Sequence, residues 1–141
     1  MGWHPFDLDH LAQEIVLKAR NSDPDNNLNQ AYKMRAACAY GLERFWGEHL
    51  RLADKEIEKA EFVGDTWKAF VGILRKARPD LQLPGTMLSN RQPEAHIQAA
   101  AQQIWQLNPH DHQIGLAVLI ALCDSVVWWT QRLKVPKAGD R

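Results

Sequence analysis

Between Arg91 and Arg132 the chain carries no lysine or arginine, and its only acids there are Glu94, Asp111 and Asp124, although charged residues make up 24% of the whole. Such a stretch is either folded into the protein's own core or covered by another chain. Within it, Ile114 to Cys123 is apolar almost all the way round a helix, and a helix with no polar face has to be surrounded. The expectation is an apolar C-terminal helix at the centre of a bundle. The apolar run from Ile114 to Trp129 is about 16 residues long and contains Asp124 and Ser125, whereas a spanning helix wants about 20 with few charges. A buried helix fits, and no membrane is expected.

Helical spacing also governs the remainder, and no stretch shows strand alternation bounded by hairpin turns. After Asp7 as a cap, Leu8, Leu11, Ile15 and Ala19 follow one face up to the breaker at 21–27. A second helix is predicted from Leu28 to about Phe62, with Leu42, Trp46, Leu50, Ala53, Ile57 and Ala60 inward and Glu48, Arg51, Lys55 and Glu58 outward. Gly41 and Gly47 each cost about 1 kcal/mol against alanine there, so they mark a bend or a close crossing. Asp65 is read as the cap of a third helix, with Trp67, Phe70, Leu74 and Ala77 inward, ending at Arg78 before Pro79. Residues 79–92 form a long connection, either an ordered surface loop or a mobile one. Pro93 opens the fourth helix, and Asn108 with Pro109 opens the fifth, which runs to about Leu133. The fold class is therefore all-α: a compact bundle of about five helices in one domain, 1–135, with a fraying tail at 136–141.

Lysine plus arginine equals aspartate plus glutamate at 17 each, so no global field draws in an anionic partner. Cys38 and Cys123 both lie in apolar helical stretches, as small hydrophobes in a reduced compartment would. The first ten residues lack a basic and then apolar leader, which points to the cytoplasm.

Several residues could carry function. Trp128 and Trp129 project about 100° apart on a helix, so one inward direction does not easily serve both rings, and tryptophan is enriched at interface hot spots. They are the candidate surface for a protein partner or for self-association. Asp124 sits amid apolar neighbours and needs a counter-charge, for which Arg35, Arg44, His49 and His96 are candidates; it is either structural or catalytic. His110 and His112 are two apart and match no zinc spacing, so neither a metal nor a cofactor is expected.

Arg44, Phe45, Trp46, Gly47, Glu48 and His49 form an arginine, four residues and a histidine, which resembles the ribonuclease signature of the HEPN superfamily; the resemblance implies RNA cleavage by Arg44 and His49. Phe45 departs from the polar residue usual after that arginine. Two basic clusters, Lys68, Arg75, Lys76 and Arg78, and Arg132, Lys134, Lys137 and Arg141, could touch the phosphates of RNA or DNA. In size and type such a helical protein is similar to the small subunits of CRISPR effector complexes, which implies a nucleic-acid-binding alternative. Glycine-rich phosphate loops, nucleophile elbows and paired carboxylate motifs are absent. The chain reads first as a non-enzymatic binding or assembly subunit.

Overall fold

The computed structural model describes residues 7–22, 27–86 and 91–134. Among them there are six α-helices and no strand. They are α1 (Leu8–Ser22), α2 (Gln30–Ala37, continued by a 3₁₀ turn at Cys38–Tyr40), α3 (Leu42–Ala53), α4 (Ile57–Ala77), α5 (Glu94–Trp105) and α6 (Pro109–Leu133). The expected tail, 136–141, lies outside the described residues.

The single helix predicted over 28–62 is divided in three. Gly41 adopts φ +99°, which only glycine takes without strain, and this turns the chain between the 3₁₀ turn and α3. A second break follows Ala53, where the amides of Lys55 and Glu56 both bond the Leu52 carbonyl and α4 restarts at Ile57. Asp65 therefore lies inside α4 and caps nothing; its carboxylate pairs with Lys18 of α1 at 2.9 Å. Of the two glycines singled out, Gly41 is the bend, whereas Gly47 faces open space. The close crossing is at Gly115, where an added Cβ would stand 3.3 Å from Leu42 and 3.6 Å from Phe70.

The most deeply enclosed element is α4, which buries Ala60, Phe62, Val63, Gly64, Thr66, Trp67, Phe70, Ile73 and Leu74 against α1, α3 and α6. Burying a ring such as Trp67 contributes about 2 to 3 kcal/mol. Its indole also donates to the Pro84 carbonyl at 2.8 Å, and that of Trp46 to Gly85 at 3.0 Å. Those two bonds, with Leu83 buried beside them, make the described part of the long connection an ordered loop.

The entry to α6 is as expected: Pro109 occupies the first turn, and Asn108 Oδ1 accepts from the Asp111 amide at 2.8 Å. The helix gathers α1, α2 and α4 around it. It is enclosed along only one stripe, however, formed by Asp111, Gly115, Leu119, Leu122, Cys123, Val126 and Thr130. It runs antiparallel to α2, as the pairs Arg35–Asp124, Cys38–Cys123 and Asn29–Lys134 show. The two cysteines are free thiols with sulfurs 3.7 Å apart in the α2–α6 seam. Their contact and burial push the Cys123 thiol up.

Candidate interaction surface on the last helix

The outward side of α6 is where apolar character outruns burial. Its length, and a mean hydropathy of 1.6 over its most apolar 18 residues, would suffice for a membrane span, and only 39% of those residues are buried. At 100° per residue, Ile114, Ala117, Ala121, Ser125 and Trp128 fall within about 80° of arc. Ile114 is 36% exposed and Trp128 46%, with Ala117 exposed and Ala121 half-buried between them. The stripe is thus large at both ends and small in the middle.

Consecutive tryptophans meet different fates, as their angular separation requires. Trp128 points outward, and the Arg132 guanidinium lies over its ring at 4.0 Å from the centroid while also donating to the Trp128 carbonyl. Trp129 turns toward the bundle and meets Trp128 edge-on, centroids 4.9 Å apart. The Trp129 indole nitrogen is enclosed without a hydrogen-bond partner among the described residues. Beside the rings, Asp9, Asp124 and Ser125 complete a shallow groove of about 380 Å³, in which Ser125 Oγ donates to Asp9 at 2.9 Å.

Asp124 is not buried. Its side chain is 60% exposed because position 124 falls on the solvent side of the enclosed stripe, and Arg35 Nε reaches it at 2.6 Å. The hydrogen bond to Asp124 raises the pKa of the Arg35 guanidinium. Of the four candidate counter-charges, Arg35 is the one in place. An exposed pair of this kind is worth about 0 to 1 kcal/mol.

Arg44 and His49 do not share a surface. Arg44 is exposed, while His49 is wholly enclosed, its Nδ1 against the Trp46 carbonyl and its ring edge-on to Trp46. Burial lowers the His49 pKa. Positions five apart on a regular helix lie about 140° apart, and here one faces water and the other the core.

The two basic clusters are reduced by internal pairing. Lys68, Arg75 and Lys76 are exposed on α4, but Arg78 is held by Asp80 at 3.0 Å and by Asp111 at 2.7 Å, which raises its pKa. Arg132 is spent on Trp128, and Lys134 bonds Asn29 at 3.1 Å, 5.9 Å from the Tyr32 ring. Lys137 and Arg141 lie outside the described residues. Among the described residues no group of three or more histidine, cysteine or carboxylate side chains could hold a metal. His112 instead stands 3.4 Å from Glu43.

Sequence reasoning missed a groove of about 420 Å³ lined by Lys33, Ala36, Ala37, Tyr40, Arg44 and Glu48. A cation and a tyrosine at helical spacing before a glycine was the available signal. No family model, curated protein or solved structure matches this chain.

Proposed function

We propose that the protein is an assembly subunit that pairs with a second copy of itself through the outward side of α6. The observation that carries this reading is the stripe from Ile114 to Trp128, with Ile114, Ala117 and Trp128 exposed and the small Ala121 and Ser125 half-buried between them, on a helix whose opposite side is already packed. Its pattern is symmetric about Ala121. Ile114 and Trp128 lie seven positions either side of it, and Ala117 and Ser125 lie four either side. Two such helices crossing antiparallel at Ala121 set each large residue against the other's large residue, and small against small. A two-fold interface needs that self-complementarity, because the same patch must serve both subunits. Small central residues let the backbones approach, and Trp128 supplies the kind of ring that dominates contact energies.

Position 121 then meets its own counterpart. Introducing Ala121→Cys is expected to give a disulfide-linked dimer under mild oxidation, since Cys38 and Cys123 are both buried. Ala121→Arg, which sets two like charges at the axis, is expected to yield a monomer in analytical ultracentrifugation. A wild-type monomer at high micromolar concentration with no cross-linking of the cysteine variant overturns self-association, and so does a monomer that adheres instead to lipid vesicles or to a different protein through Trp128.

A further inference from the structure

The groove between α2 and α3 combines features that neither basic cluster has. Gly41, at φ +99°, ends the 3₁₀ turn so that Tyr40 is thrown outward; at 69% it is the most exposed large apolar side chain among those described. Ala36 and Ala37 contribute small side chains to its lining. Lys33 and Arg44 stand on its two sides, each exposed; Lys33 feels the charge of Glu56, whose salt bridge goes to Lys59, and neither Lys33 nor Arg44 is in a salt bridge among the described residues. The single acid at the rim, Glu48, is already gripped by Arg51, with Nη2 at 2.8 Å and Nε at 3.1 and 3.0 Å from its two oxygens.

We infer that this groove binds single-stranded nucleic acid, with a base stacked on Tyr40 and its flanking phosphates on Lys33 and Arg44. A planar ring beside two cations outside any salt bridge fits a ligand that alternates π-faces with negative charge, and such stacking tolerates any base. The groove is open, and its lining comes from side chains along both α2 and α3, which suits a strand passing through. Tyr32, 41% exposed, lies outside the groove, near Lys134. A duplex is not accommodated, because its bases are already stacked on each other.

The test is fluorescence anisotropy of the full-length protein with a labelled single-stranded RNA or DNA of mixed sequence at low salt. Binding is expected, and with two phosphates neutralised, the logarithm of affinity should fall against the logarithm of salt with a slope of about −1.4. Tyr40→Ala should weaken it about 5- to 150-fold. The double variant Lys33→Glu, Arg44→Glu should remove both the affinity and the slope. Every one of these side chains is exposed, so circular dichroism unchanged from wild type is expected for each variant. Undetectable binding at low salt, unchanged binding by the groove variants, equal affinity for duplex, or loss only on reversing Lys68, Arg75 and Lys76 would each overturn the assignment. None of these outcomes depends on whether the protein dimerises, because Ala121→Arg leaves the groove intact.

Discussion

Gly41 and Gly47 lie six residues apart in one stretch and make opposite demands. At Gly41 the backbone sits at φ +99°, ψ 173°, a region that a side chain enters at a cost of about 1 to 3 kcal/mol, and a Cβ there would also stand 3.0 Å from a Glu43 oxygen. Gly41→Ala is therefore expected to lower the unfolding free energy by that amount in urea titrations. Gly47 and Gly72 are helical, with nothing within 4 Å of where a methyl group would stand, so alanine at either should add about 0.5 to 1 kcal/mol. Equal effects at 41 and 47 would mean that the turn is not held by the glycine. His49 gives a second residue-scale expectation. Its enclosed ring resists protonation, so its folded pKa lies below the unfolded value near 6.5. As pH falls through 6.5 the unfolded chain takes up a proton that the folded one refuses, and stability declines by at most about 1.4 kcal/mol per unit. Thermal melts from pH 7.5 to 5 should show a decline in wild type that is shallower in His49→Gln; parallel profiles would remove His49 as its source.

At the scale of helices, the decisive contact is the crossing at Gly115. There α6 comes close enough to α3 and α4 that Leu42, Phe70 and Leu74 all line the missing side chain's place. Gly115→Val is expected to cost about 1 to 3 kcal/mol by overpacking, measured as a lowered urea midpoint with unchanged slope, whereas Gln113→Val, exposed and outside the stripe, should change stability little. Legibility in the sequence followed the range of the interaction. The entry to α6 was readable because Asn108, Pro109 and Asp111 act on one another within a single turn. The divergence of Trp128 and Trp129 was readable from helical geometry alone. The breaks within 28–62 were legible only as a bend offered at Gly41, because the apolar spacing stays in phase across both and nothing local says that Gly41 takes a positive φ or that the helix stops after Ala53. The same break hid the groove: Lys33, Tyr40 and Arg44, seven and four positions apart, would share one face of an unbroken helix as well, but only the turn at Gly41 makes a concave surface between α2 and α3. Asp124 was misplaced for the converse reason: apolar neighbours in sequence suggested burial, yet the outward side of α6 is itself apolar and open.

For the whole molecule, the distribution of buried residues sets an order of local stability. The centre is α4, with nine enclosed residues, while α5 has two, Ala100 and Ile104, and among the other elements it rests chiefly on α3. The two helices differ as well in how their exits are tied. At the end of α4, Arg78 bridges to Asp80 and Asp111, so that end is fastened to the start of α6; the end of α5 exposes Trp105 and leads into Asn108. Local opening free energies scale with the packing that must be undone. Amide exchange should therefore be slowest across Phe62 to Leu74, approaching the global unfolding free energy, and fastest among the helices in α5. The α6 amides offer the decisive comparison. If its outward side is covered by a second copy, protection from Ala117 to Trp128 rises with protein concentration while that of α5 does not. In Ala121→Arg, the same α6 amides should show one concentration-independent protection, with α4 unchanged. Exchange in α6 that ignores concentration in wild type would leave the stripe exposed in solution and the pairing wrong.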